Sequence, residues 1–231
     1  MERVSTGILN LDSQLGGGFP AGSVILILED PGAGAEVFSY HFIHEGIKRG
    51  EKSLYISTND TSDEVKESMK LYLNLTDEDL EKVKFIDFMG ARVGTLGLRE
   101  SITLSGDPYN RVITECSKDY KRVVLNNLWY FAEDYDRKAV IGMLESMAVS
   151  ARKNSSVILV LFTKGMFEST FETAVKQVVD GVIELSIREA ETEIQRRMKI
   201  IKLKRTLVPK AVFRYDITDR GIRMESVTRV L

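Results

Sequence analysis

Three uninterrupted apolar runs constrain this chain more than any other feature: Ser23–Leu28 (SVILIL), Arg122–Asn126 (RVVLN) and Ser156–Phe162 (SVILVLF). A strand with one face in water alternates apolar and polar residues. A strand covered on both faces has no polar side, and that is what these runs describe. Ser53–Ser57 and Val83–Asp87 add two shorter strands. Helical patterns separate the runs. One covers Ala35–Lys48, and another opens on a capping box, Thr61-x-x-Glu64, with Val65, Met69 and Tyr72 on one side. Further helices are expected over Asp107–Lys118, Arg137–Arg152 and Phe171–Val179. Residues 89–106 are poorly patterned and read as a loop.

Past Asp180 the rhythm changes. Val182–Ile187, Met198–Lys204, Val212–Tyr215 and Ile222–Met224 read as strands with no helix between them, and Asp219-Arg-Gly221 is a turn. The run Arg188–Arg197 reads as a solvated turn. The sum is an α/β chain whose mostly parallel sheet is extended by C-terminal antiparallel strands, in one domain over residues 1–231.

The net charge of −2 gives no electrostatic reason to bind nucleic acid or a membrane surface. The lone cysteine, Cys116, excludes an internal disulfide and reads as a small buried apolar residue. With no signal-peptide pattern at Met1–Leu15 and no long apolar run, a cytoplasmic location is expected. His41 and His44 lack the carboxylate or cysteine companions of a metal site, so no metal is assigned.

The turn after the first apolar run is rich in glycine and opens a helix, which is the frame of a phosphate-binding loop. A working loop reads Gly-x-x-x-x-Gly-Lys-[Ser/Thr]. Here the stretch is Glu29-Asp-Pro-Gly-Ala-Gly-Ala-Glu36. Its wider setting is more specific. Thr6-Gly-Ile-x-x-Leu-Asp12, Leu15-Gly-Gly-Gly-Phe-Pro-x-Gly-Ser23, His44-Glu-Gly-x-Lys-Arg-Gly-Glu51, Val178-x-Asp-Gly-Val-Ile-Glu-Leu185 and Ile217-Thr-Asp-Arg-Gly-Ile222 occur in this order. With these motifs the chain resembles the KaiC-like branch of the RecA superfamily of P-loop ATPases over about residues 5–226. The resemblance implies a three-layer RecA-like fold, an ATP site and ring or filament assembly.

Against that family, the chemistry is degenerate. Gly32, Ala33 and Gly34 keep the loop's shape, but Ala35 stands where the lysine belongs and Glu36 where the Mg²⁺-binding hydroxyl belongs. Asn126 replaces the acidic residue that ends the second motif's strand. Asn59 and Asp60 stand where the catalytic glutamate pair belongs. Asn cannot act as a general base near neutral pH. Glu29, Asp30 and Glu36 make the loop acidic, and each carboxylate about 4 Å from a phosphate charge costs about 1 kcal/mol in water and about 4 kcal/mol in a surface-like dielectric. Glu36, in the first helical turn, is expected to fill part of the anion site itself. Lys202 and Lys204 match the place of a basic pair that, in hexameric relatives, reaches a neighbour's nucleotide, or else form a solvated basic stretch.

These readings predict a pseudo-ATPase, an assembly or regulatory subunit that pairs with itself or with an active KaiC/RecA-like paralogue. No cofactor is assigned, since ATP or ADP is expected to bind weakly. The alternatives are an ATP or ADP sensor without turnover, a DNA-binding recombinase paralogue using Phe162-Thr-Lys-Gly-Met-Phe167, and an active enzyme with displaced residues.

Overall fold

A computed structural model describes residues 1–94, 106–190 and 193–225. The strands are β1 (Arg3–Val4), β2 (Phe19–Pro20), β3 (Ser23–Glu29), β4 (Ser53–Ser57), β5 (Val83–Asp87), β6 (Arg122–Asn126), β7 (Val157–Thr163), β8 (Gly181–Ala190), β9 (Glu193–Leu203), β10 (Val212–Thr218) and β11 (Gly221–Met224). The helices are α1 (Leu9–Gln14), α2 (Ala35–Arg49), α3 (Ser62–Leu73), α4 (Asp77–Glu81), α5 (Phe88–Val93), α6 (Pro108–Cys116), α7 (Trp129–Asp134), α8 (Arg137–Asn154) and α9 (Ser169–Val178).

Nine strands form one sheet in the order β11-β10-β9-β8-β3-β7-β6-β4-β5. From β8 to β5 neighbours run parallel, and β9, β10 and β11 add antiparallel strands at the other end. The three apolar runs become β3, β7 and β6, buried almost throughout. Their alternate side chains feed two cores. Ile25 and Ile27 of β3 join Phe38, Phe42, Val65 and Met69 from α2 and α3. Val24, Leu26 and Leu28 join Val112, Met143, Leu144, Phe171 and Val175 from α6, α8 and α9. Helices therefore cover both faces, giving the three layers of a RecA-like fold.

The motifs that carry the family resemblance hold this scaffold together. Asp12 accepts hydrogen bonds from Ser5 Oγ at 2.6 Å and from the Thr6 N–H at 2.7 Å. Glu51 accepts from Arg122 Nε at 2.5 Å, while Arg122 Nη1 reaches the carbonyls of Ser5 and Phe42. Gly46 makes room for that arginine, because a Cβ there would lie 2.6 Å from Arg122 Cδ. Asp180 anchors the Val24 N–H and pairs with Lys204 and Arg152.

Two readings of the sequence are corrected. Arg188–Ala190 and Glu193–Arg197 are not a solvated turn: they are the paired ends of β8 and β9 in a long antiparallel hairpin, and residues 191–192 lie outside the described residues. The two strands pair antiparallel in register from Ala190↔Glu193 back to Ser186↔Arg197, and the ladder rather than solvent takes up the backbone there. Phe88–Val93 is a helix, capped by Asp87 accepting from the Gly90 N–H, where a loop was expected; residues 95–105 lie outside the described residues.

Candidate functional site

The site lies where β3, β4 and β6 end, beside the first turn of α2. Gly34 precedes that helix at φ +96, a left-handed conformation that suits glycine. Space also demands it, since a Cβ at Gly34 would meet Ile217 Cδ1 at 2.4 Å. Ile217, from β10, thus lies directly against the loop.

The loop's anion-binding amides have an internal partner. Glu29 Oε2 accepts from the Gly34 N–H at 3.1 Å and from the Ala35 N–H at 2.9 Å. The residue that fills the anion site is therefore Glu29 and not Glu36. Chain direction explains the difference: Glu29 ends β3 and its side chain folds forward into the turn, whereas Glu36 projects from the helix's first turn toward β4 and β6. A carboxylate one loop-length before a helix start is the sequence signal for such an arrangement. Burial raises the Glu29 pKa, the two N–H groups oppose that rise, and Asp30 adds to it.

Other contacts pin the loop. Asp30 Oδ2 accepts from the Ile187 N–H at 2.9 Å, and Lys164 Nζ lies 3.1 Å from Asp30 Oδ1 and 2.8 Å from Glu184 Oε1. Tyr215 donates its hydroxyl to the Ala33 carbonyl at 2.7 Å. Gly32 sits at φ +82 with the Ile187 side chain 3.7 Å from where its Cβ would be. Ala35 is fully buried.

Glu36, Asp60 and Asn126, far apart in sequence, converge. Burial, together with the nearby Asp60 and Glu29 carboxylates, pushes the Glu36 carboxyl up to about 7. Asp60, in contact with Glu36, is also raised, first by burial and then by Glu64. The Asn126 amide faces Glu36 closely enough to stabilise its charge. Yet neither Nδ2 nor Oδ1 of Asn126 reaches a protein partner at hydrogen-bond geometry. Asn59 points elsewhere: its Oδ1 accepts from Trp129 Nε1 at 2.6 Å. A cleft of ≈ 530 Å³ opens beside these residues, lined by Glu29, Glu36, Tyr40, Tyr72, Arg196 and Ile217 among others.

Lys202 and Lys204 stand apart from this cluster and are used within the chain. Lys202 Nζ donates to the carbonyls of Lys176, Gln177 and Val179, closing the C-terminal end of α9. Lys204 Nζ lies 3.0 Å from Asp180 Oδ1. Both ammoniums thus have partners within the chain, and the Lys204 side chain stays half exposed. The aromatic segment after β7 is likewise engaged, because Phe167 packs on Phe162 and Phe171 and Lys164 is doubly ion-paired. His41 is a core residue whose Nε2 accepts from the Ile222 N–H at 2.8 Å.

The family's nucleotide does not fit these residues as they stand. Gly34 and Ala35 cannot offer their amides to a phosphate while Glu29 holds them, and the carboxylates of Glu29 and Glu36 both line the cleft beside the loop.

Comparison with known proteins agrees with the fold. The chain belongs to the family described as ATPase: KaiC, whose model matches residues 4–228. It is 27% identical to a UPF0273 protein of Thermotoga maritima, over 96% of this chain and 95% of the relative. A UPF0273 protein of Pyrococcus horikoshii is also 27% identical, over 95% and 92%. The circadian clock oscillator protein KaiC of Thermostichus vulcanus is 22% identical over 98% of this chain, which spans 43% of that protein. Among solved structures, a KaiC-like protein from Pyrococcus horikoshii superposes with a TM-score of 0.75 at 20% identity, covering 97% of this chain and 99% of the other. Among the described residues, no helix is long and apolar enough to cross a membrane.

Proposed function

We infer that this chain is a KaiC-family pseudo-ATPase, a protein that keeps the ATPase scaffold without hydrolysis and acts as an assembly or regulatory subunit. The observation that carries this reading is the Glu29 carboxylate on the Gly34 and Ala35 amides. Phosphoryl transfer needs positive charge and oriented donors around the phosphates, together with a base to position water. Here the donors are taken, the lysine position is Ala35, the metal positions are Glu36 and Asn126, and Asn59 is bound to Trp129.

A role in assembly with itself or with an active paralogue is supported by the open face of β9 and β10. Arg197 and Arg214 stand directly opposite each other there, beside exposed Val212 and Ile201. Like charges opposed across strands destabilise a lone sheet and suit an acidic partner surface. The test pairs a phosphate-release assay with light scattering on the pure chain. The expected result is no turnover above buffer and a mass above that of one chain, alone or after mixing with a KaiC-like paralogue. ATP turnover abolished by Glu36→Gln or Asp60→Asn would overturn the reading.

A further inference from the structure

We propose that His41 is a proton-released latch that ties the middle of α2 to the β10–β11 hairpin and, through that hairpin, steadies the glycine loop. His41 Nε2 accepts from the Ile222 N–H at 2.8 Å. A neutral imidazole carries one hydrogen, so with Nε2 accepting, that hydrogen is on Nδ1. Ile222 is the register partner of Ile217 in the antiparallel β10–β11 pair. Ile217 Cδ1 lies 2.4 Å from where a Gly34 Cβ would be, and Tyr215, two residues earlier on β10, donates its hydroxyl to the Ala33 carbonyl at 2.7 Å. One side chain of α2 thus reaches the loop by way of the sheet edge.

The contact is tight and buried. A Cβ at Gly221 would lie 2.2 Å from Nε2, and His41 is 9% exposed. A proton on Nε2 turns the acceptor into a donor and sets it against the Ile222 N–H. Two donors cannot share that line, so the turn must move away for the ring to be charged. The surroundings favour the neutral ring. His44, Glu45 and Lys48 of α2 and Arg220 of the β10–β11 turn line a cleft of ≈ 400 Å³ beside it, where α3 contributes only the uncharged Leu73 and Asn74. Glu45, the one carboxylate among these, is held by Arg49 at 2.6 Å, and Asp79 of α4 acts on His44. Burial, then His44 and Lys48, hold His41 down to about 4 from 6.5, against the Gly7 carbonyl, which favours the charged form.

The sign of the effect follows from that depression. In the released state the ring has its ordinary value of 6.5. The latch therefore contributes fully above about pH 6.5 and loses its contribution as pH falls toward 4. Between pH 7 and pH 4 the released fraction should rise on the order of 100-fold. Glu36 acts in the opposite sense, since its folded-state value is raised. A local reporter at Ile222 is therefore needed, because whole-molecule melts mix the two. None of these contacts depends on a catalytic group, so the latch stands whether or not the chain hydrolyses ATP.

The sequence has two histidines, so a nitrogen-15 NMR spectrum of the labelled full chain holds two imidazoles, and His44→Gln assigns them. The His41 ring should be the Nδ1–H tautomer and take its second proton near pH 4, with the Ile222 amide shifting at the same midpoint. Hydrogen exchange supplies the second readout. Protection of the Ile222 amide should fall on the order of 100-fold from pH 7 to pH 4 in the wild type. His41→Gln keeps an acceptor that does not titrate, so there the protection should stay level. His41→Phe removes the acceptor and should lower Ile222 protection already at pH 7. The Gly34 and Ala35 amides should lose more protection on acidification in the wild type than in His41→Gln; Glu29 and Glu36 titrate in both proteins, so the difference belongs to His41. Should His41→Phe fail to fold by circular dichroism, the wild type and His41→Gln still decide. An Nε2–H tautomer, a ring titrating near 6.5 with the Ile222 amide unmoved, or equal pH dependence of Ile222 exchange in wild type and His41→Gln would overturn the latch. Loop amides responding equally in those two proteins would overturn its link to the loop.

Discussion

Replacing Glu29 by alanine separates the internal-anion account from an ordinary strand-to-helix turn. The carboxylate holds two amides at 3.1 and 2.9 Å. Hydrogen bonds to a charged group contribute about 1.5–3 kcal/mol each, so the pair is worth about 3–6 kcal/mol before opposing effects. Burial of Glu29 and repulsion from Asp30 work against it. In Glu29→Ala, water entering the cleft also satisfies part of what is lost. A net loss of about 2 kcal/mol follows, and for a chain of this size each kcal/mol moves Tm by about 2–4 °C. Differential scanning calorimetry should therefore show Tm falling by about 4–8 °C. The emptied amides should now take an external anion, so inorganic phosphate should raise the Tm of the variant and leave the wild type unmoved. Glu29→Gln, which keeps an acceptor without the charge, should fall between the two. An unchanged Tm in Glu29→Ala, or an equal phosphate response in both proteins, refutes the reasoning.

Glu36 makes stability depend on pH. Its folded-state pKa is pushed up to about 7 from 4.5, so the folded chain holds a proton that the unfolded chain has released. Stability should be greatest below the unfolded value and fall as pH rises through about 7, by at most about 3 kcal/mol, in urea melts; Glu36→Gln should flatten that slope and be the more stable protein at about pH 8. Arg122→Met should destabilise by about 3–5 kcal/mol in the same melts, because it strips partners from Glu51 and from the Ser5 and Phe42 carbonyls. Gly221→Ala should cost about 1–3 kcal/mol; that residue lies at φ +74, and a Cβ would sit 2.2 Å from His41 Nε2. Combining Glu29→Gly, Ala35→Lys and Glu36→Thr should restore nucleotide binding by calorimetry without turnover, since Asn126 and Asn59 remain.

Much of the fold was legible because it rests on local pattern. Buried runs become β3, β6 and β7, and the Thr61–Glu64 box caps α3. The recognisable motifs turned out to be scaffold: Asp12, Gly46, Glu51, Asp180 and Gly221 each serve a hydrogen bond or a close approach. These contacts hold the fold independently of the residues at the loop. The degenerate positions were legible one by one, and Glu36, Asp60 and Asn126 do meet. Which carboxylate reaches the loop amides was not legible, because it depends on side-chain direction and not on spacing. The intrachain contacts of Lys202 and Lys204 were hidden for a similar reason. Charge along a strand does not reveal that one lysine closes α9 and the other pairs with Asp180. The long β8–β9 hairpin was obscured by its charges, because a ladder held by backbone pairing leaves no apolar alternation in the sequence.

The central claim is that the phosphate loop is already occupied by the chain's own carboxylate. Calorimetric titration of Mg-ATP into the wild-type protein tests it most directly. The account predicts no binding isotherm in the micromolar range. A micromolar Kd, unaffected by Glu29→Ala, would contradict it.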